Sequence, residues 1–252
     1  MSGRSATDAR PMNARVLFVT GTDTGVGKTT ITTALIAAWV TAGRRVAALK
    51  PVETGCRRRW GQLHPADGMR LAAASRQPPT LVSPLRYAAP TSPAAAATLA
   101  GRPIDRAAIF AAANALGAEA ELLVVEGAGG LLVPLDDQWT MADLAVALGA
   151  RLLVVARASL GTVNHSCLTV EAARHRGLAP IAVVLNRVVA HLGADEASNP
   201  AAIARFTQLP VWGPFPHLEG RVRRRPLAEL GVLARRHLPV DALWELATAQ
   251  GP

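Results

Sequence analysis

The segment Gly21-Thr22-Asp23-Thr24-Gly25-Val26-Gly27-Lys28-Thr29-Thr30 follows a short apolar run and opens into a helical pattern. A strand, a glycine loop and a helix beginning at Gly-Lys-Thr form a cradle for nucleotide phosphates. Backbone N–H groups point at phosphate oxygens, and the helix dipole favours the negative charge. In such a cradle Lys28 reaches the β- and γ-phosphates and the Thr29 hydroxyl holds Mg²⁺. Five residues, not the usual four, separate Gly21 from Gly27, and Thr22 stands at the position of the usual first glycine. That variant loop belongs to a subset of phosphate-loop enzymes.

Two further segments carry charge at the ends of apolar runs. Glu126-Gly127-Ala128-Gly129-Gly130 follows Glu121–Val125. A carboxylate there suits Mg²⁺, which takes oxygen ligands and keeps several waters, and the glycines let the chain pass close to phosphate or substrate. Lys50-Pro51-Val52-Glu53-Thr54-Gly55 follows Arg45–Leu49. An ammonium group there fits either an edge lysine reaching for water or a group that neutralises a transferring phosphoryl group or an anionic acceptor. Of 27 basic residues only Lys28 and Lys50 are lysines. In a chain that otherwise uses arginine, each marks a place where a compact point charge serves and a planar fork does not.

Weaker signals complete the set. Asp67 fits a helix N-cap or a second Mg²⁺ carboxylate. Asn186 ends an apolar run and fits either a polar loop residue or a partner for a nucleobase edge. Gly161-Thr162-Val163-Asn164-His165 opens a helix and offers N–H groups to an anion such as a carboxylate; His165 reads as structural. No Cys/His cluster points to zinc, and no Gly-x-Ser-x-Gly to a hydrolase.

Strands expected over Arg15–Thr20, Arg45–Leu49, Glu121–Val125, Arg151–Ala156, Ile181–Leu185 and Val211–Phe215 position these residues. Helices are expected over Thr29–Thr41, Asp67–Ser75, Ile104–Ala118, Thr162–Arg176, Asn199–Thr207, Leu227–His237 and Val240–Gln250. Pro51–Pro65 reads as irregular, and Pro78–Pro93 as loop with short extended pieces. Strands this apolar are buried on both faces, as in a parallel sheet covered by helices. The alternation gives an α/β fold with right-handed crossovers, of the phosphate-loop NTPase type. Ligands of such sheets bind beyond the carboxyl ends of the strands. Residues 1–14 are expected to be a flexible tail and 15–252 a single domain.

Half of the 252 residues are apolar and 18% are charged, which excludes a disordered chain. The most apolar stretch, Ala142–Leu160, carries Asp143, Arg151 and Arg157, so no membrane span is expected. Two cysteines make no disulfide framework, and a cytoplasmic location fits. The net charge of +9 reflects abundant arginine. The clusters Arg57–Arg59 and Arg221–Arg225 are short and lie in Pro/Gly-rich surroundings, not on a long helix interleaved with aromatics, and no nucleic-acid partner is expected.

Taken in order, Phe18–Thr29, Lys50–Gly55, Pro90-Thr91-Ser92-Pro93, Val125–Gly130, Gly161–His165 and Asn186 resemble the dethiobiotin synthetase family across residues ~15–220. The resemblance implies ATP-dependent ring closure of 7,8-diaminononanoate with CO₂ or bicarbonate, through a carbamate and a carbamic-phosphoric anhydride. It places ATP on Gly25, Val26, Gly27, Lys28, Thr29, Thr30 and Gly127, Ala128, Gly129. It puts adenine near Asn186, Arg187, Pro216, His217 and Leu218. Mg²⁺ would sit on Thr29, Asp67 and Glu126. The diamine and its carbamate would meet Thr24, Lys50 and Thr54. The distal carboxylate would meet Gly161, Thr162 and Asn164 of a neighbouring subunit, so a homodimer is implied. Lys28 and Lys50 would be the catalytic pair. Gly25 stands where relatives often carry Glu, Thr54 where Ser is common, and Arg187 where an acid is often seen.

The alternative is a partition or switch ATPase of the same fold. Those proteins carry an extra lysine early in the loop, where this chain has Asp23. Amidating ligases with this domain add a glutaminase domain for which 252 residues leave no room.

Overall fold

Six apolar segments pair into one parallel sheet: β1 (Arg15–Gly21), β2 (Val46–Leu49), β7 (Leu122–Gly130), β8 (Arg151–Arg157), β9 (Ala179–Asn186) and β10 (Val211–Phe215). Their order across the sheet is β10-β9-β8-β1-β7-β2. The computed structural model describes residues 13–190, 193–218 and 225–249. Residues 1–12 of the expected tail, most of the Arg221–Arg225 cluster and Gln250 lie outside them. Consecutive residues of β1, β2, β7 and β8 are buried, so helices cover both faces.

β1 is central and β7 and β8 flank it, which is where strand order reverses and a ligand crevice opens. The register fixes what meets there. Val19 of β1 lies opposite Glu126 of β7. Leu49 of β2 lies opposite Val125, so Lys50 emerges beside Glu126.

Helix α1 (Lys28–Thr41) runs from the glycine loop. The helical spacing of its sequence puts Ile31, Leu35, Ala38 and Trp39 on one side. The helix is buried almost all round, because α9 (Leu227–His237) and α10 (Val240–Thr248) cover its other side. The Trp39 indole N–H donates to the Val240 carbonyl at 2.9 Å, and its ring meets Trp244 edge-on at 5.6 Å. The C-terminal helices therefore hold the phosphate-loop helix in place.

The segments read as irregular contain short order. β3 (Val52–Glu53) pairs in parallel with β6 (Leu85–Arg86). β4 (Arg57–Arg59) and β5 (Gln62–His64) form an exposed antiparallel hairpin that leads to α2 (Ala66–Ser75). α3 (Pro79–Val82) and α4 (Pro93–Leu99) each begin at a proline, whose fixed φ suits a first helical position. α5 (Arg106–Gly117) is two residues shorter at its start than expected, since Asp105 caps it by accepting from the Ala108 N–H. α6 (Met141–Ala147) was not anticipated. Its signal is the capping box, in which Thr140 and Asp143 serve each other's backbone donors. α7 (Thr162–His175) follows β8, and α8 (Asn199–Thr207) precedes β10. No helix among the described residues is long and apolar enough to cross a membrane.

Candidate active site

The cleft at the carboxyl ends of β1, β7 and β2 encloses about 390 Å³. Its walls bring together Thr24, Gly25, Gly27, Lys28, Thr29 and Thr30 of the loop, Lys50 and Thr54, Asp67, and Glu126, Ala128 and Gly129. Val26 is buried in the loop, and Gly127 is buried beneath it.

The loop owes its shape to Gly27, which caps α1 with φ 94°. A Cβ there would fall 2.0 Å from Nδ2 of Asn186, whose amide donates to the Val26 carbonyl at 2.9 Å. Asn186 thus braces the loop from behind and is not a wall of the cleft. The Lys28 ammonium curls back and donates to the Asp23 carbonyl at 3.2 Å. Arg157, at the end of β8, pairs with the Asp23 carboxylate at 3.0 Å and ties the outer lip of the loop to the sheet.

The charged centre is formed by four side chains. The Lys50 ammonium donates to Glu126 Oε1 at 2.6 Å and to the Gly127 carbonyl at 3.3 Å. The Thr29 hydroxyl donates to the same Glu126 Oε1 at 2.7 Å. Asp67 Oδ2 lies 3.8 Å from Lys50 Nζ. Glu126 is wholly buried, and Lys50 and Lys28 are 5% and 8% exposed, so these charges meet in a low dielectric. Burial and the neighbouring Lys50 ammonium pull the Lys28 pKa down to about 8. Burial works against the charge on Lys50 too. There the Glu126 carboxylate, backed by Asp67 and Glu53, outweighs it and holds Lys50 above the ordinary lysine value.

Asp67 is the second residue of α2, after Pro65 at the N-cap, so the N-cap reading of Asp67 gives way. Thr29, Asp67 and Glu126 present hard oxygen donors to one cleft, and Glu126 Oε2 is buried with no hydrogen bond among the described residues. That donor set fits Mg²⁺, which binds through one or two carboxylates and completes its shell with water and phosphate oxygens.

Other expected site residues lie apart. Pro216, His217 and Leu218 form a half-buried loop after β10, outside the cleft walls. Arg187 pairs with Glu196 at 2.5 Å, so an acid follows Asn186 in space though not in sequence. Gly161, Thr162 and Asn164 begin α7 outside the walls. Thr162 is buried there, while Asn164 and nearby Leu160 are exposed. Three cleft features were not singled out from sequence: Val52, Glu53 and Arg70. Arg70 lies three residues after Asp67 on α2, a spacing that shares a helix face and could have revealed it.

A family model described as an AAA domain matches residues 15–224. The ATP-dependent dethiobiotin synthetase BioD of Anaeromyxobacter sp. (strain Fw109-5) is 50% identical over 193 residues, 77% of this chain and 86% of that protein. The enzyme of the same name from Mycobacterium marinum is 43% identical over 196 residues, 77% of this chain and 84% of its own. That from Thermodesulfovibrio yellowstonii is 33% identical over 239 residues, 91% of this chain and 98% of its own. With likeness of this extent joined to a glycine cradle and a converging pair of lysines, the chain belongs to the ATP-dependent dethiobiotin synthetase family.

Proposed function

We propose that this chain closes 7,8-diaminononanoate and CO₂ into the cyclic urea dethiobiotin at the expense of ATP. The observation that carries the reading is the convergence of two buried ammonium groups, Lys28 and Lys50, on the glycine cradle. One amine of the substrate adds to CO₂ and loses a proton, giving a carbamate anion. A carbamate oxygen then attacks the γ-phosphorus of ATP, the bond to the β-bridging oxygen breaks, and ADP leaves. The second amine attacks the carbonyl of the resulting carbamic-phosphoric anhydride, expels phosphate and closes the ring.

The difficulty in the second step is bringing two anions face to face, so catalysis is mainly positioning and charge neutralisation. The loop N–H groups and Lys28 would hold the β- and γ-phosphates. Lys50, between loop and Glu126, would serve the carbamate and the transferring phosphoryl group. Thr24 and Thr54 line the side of the cleft where the diamine would lie. Mg²⁺, held by Thr29, Asp67 and Glu126, would neutralise charge on the phosphate oxygens.

The diamine's distal carboxylate would dock at the start of α7 from a second copy of the chain. Two facts support that homodimer: Gly161, Thr162 and Asn164 are absent from their own chain's cleft walls, and Leu160 and Leu168 beside them are exposed. Asn186 and the 216–218 loop would border adenine. A single domain over 15–252 and a cytoplasmic setting suit this reading.

The test is product formation by purified protein with ATP, Mg²⁺, bicarbonate and 7,8-diaminononanoate, each omitted in turn. The reading requires dethiobiotin and ADP only when all four are present. Steady ATP turnover without diamine and bicarbonate would favour the switch ATPase.

A further inference from the structure

Helix α2 carries Asp67 into the cleft, yet it begins after Pro65, which offers no side-chain acceptor to the first turn. The second and third N–H groups of a helix are those an N-cap side chain would take. Here they go to a residue 14 positions upstream. Glu53 Oε1 accepts from the Asp67 N–H at 2.9 Å, and Oε2 accepts from the Gly68 N–H at 2.7 Å. Glu53 belongs to the strand that leaves Lys50. Its own carbonyl accepts from the Tyr87 N–H at 2.9 Å, and the Lys50 N–H donates to the Val82 carbonyl at 2.7 Å, so this strand is held at both ends against the segment 82–87. The helix start is pressed in so closely that a Cβ on Gly68 would fall 2.4 Å from Ser83 Cβ.

A serine in place of Pro65 would cap the helix at less cost. Glu53 is instead a buried carboxylate, 5% exposed, lining the same cleft as a second carboxylate, Asp67. A local cap secures only the helix. A two-pronged bond from the Lys50 strand also sets where the helix stands relative to Lys50. We infer that Glu53 is a positioning residue: it fixes Asp67 against Lys50 and Glu126 and so completes the phosphate-and-metal wall of the cleft. This rests on the reading of Asp67 as a metal-side carboxylate.

The test measures Mn²⁺ binding to the full chain with a non-hydrolysable ATP analogue, by electron paramagnetic resonance. It compares the native chain with Asp67→Asn, Glu53→Gln and Glu53→Gln/Pro65→Ser. An amide at position 53 can accept from only one of the two N–H groups. Glu53→Gln should weaken Mn²⁺ about tenfold or more, as lost supporting bonds do at metal sites, and Asp67→Asn, which removes a charged donor, should weaken it at least as much. Adding Pro65→Ser should restore thermal stability without restoring Mn²⁺ affinity, and the metal concentration for half-maximal rate should rise more than kcat falls. Should Glu53→Gln alone fail to fold, the double variant carries the measurement. Native Mn²⁺ affinity in Glu53→Gln, beside a loss in Asp67→Asn, would overturn the proposal. Restoration of affinity by the added Pro65→Ser change would reduce Glu53 to a helix cap and overturn it equally. Native affinity in Asp67→Asn would overturn its premise, and is recognised by that variant alone.

Discussion

Lys50 and Glu126 sit side by side because Leu49 and Val125 are register partners in a parallel sheet, and their side chains meet at 2.6 Å just past the last paired residues. The contact is thus set by the sheet and not by a loop, and a site built on strands is held more firmly than one built on loops. The same Glu126 oxygen also accepts from Thr29 of α1. One buried oxygen therefore joins the phosphate-loop helix, the central sheet and the second lysine.

Breaking such a pair from one side leaves a buried charge uncompensated, which typically destabilises by about 3–5 kcal/mol, whereas replacing both partners can be nearly neutral. Lys50→Met should therefore lower the midpoint of urea unfolding markedly, and Lys50→Met/Glu126→Gln should recover most of the loss. Equal, additive losses in the double variant would mean that the two groups are not coupled.

Lys28 yields a pH dependence. Its pKa of about 8 lies below the ordinary lysine value, because of burial and Lys50. Between pH 8 and 10.5 the unfolded chain holds more of this proton than the native one, so this site's contribution to stability rises with pH there. Phosphates favour the charged form, so nucleotide binding must take up a proton above pH 8. The apparent Kd for ATP should rise about tenfold per pH unit above that point. Calorimetry in two buffers of different ionisation enthalpy should show the uptake at pH 9 and not at pH 6.5.

Replacing Lys28 with arginine should raise the ATP Kd by at least about tenfold, because the ammonium fits as a point charge and a planar fork does not. Fluorescent-nucleotide binding reads this directly, and an unchanged Kd would show that the cradle needs only a positive charge.

Gly27→Ala meets two obstacles at once: a φ of 94° and the Asn186 amide at 2.0 Å from the new Cβ. The variant should lose nucleotide binding while keeping most of its circular dichroism. Asn186→Ala removes the steric obstacle but also the brace on Val26, so adding it should restore binding only in part.

The six sheet strands and the loop that grips phosphate were legible in the sequence, because apolar runs and a glycine signature are local. Val211–Phe215 and Leu227–His237 agree with the reading to the residue. α4 and α6 were not legible. α4 is alanine-rich with a proline start, and α6 is short, so neither gives a strong period. The burial of α1 on nearly every side depends on helices some 200 residues away, which no local pattern encodes. The site divides in the same way. Lys28 and Thr29 announced themselves by the glycine loop that opens a helix, and Glu126 by its place after an apolar run. Asp67 stayed ambiguous because the β4–β5 hairpin hides its distance from Lys50, and Glu53 had no visible purpose until α2 was seen resting on it. Asn186 was at the right strand end, but its amide bonds to the Val26 carbonyl in the loop.

The central claim, that the second ammonium group serves the transferring phosphoryl group and the carbamate, is tested most directly by Lys50→Ala, measured for turnover and for ATP affinity in the same preparation. The account predicts a kcat lowered by about 10²-fold or more, the usual loss when one preorganised charge is removed, with ATP affinity nearly unchanged. A native turnover number, or a loss confined to ATP affinity, would contradict it.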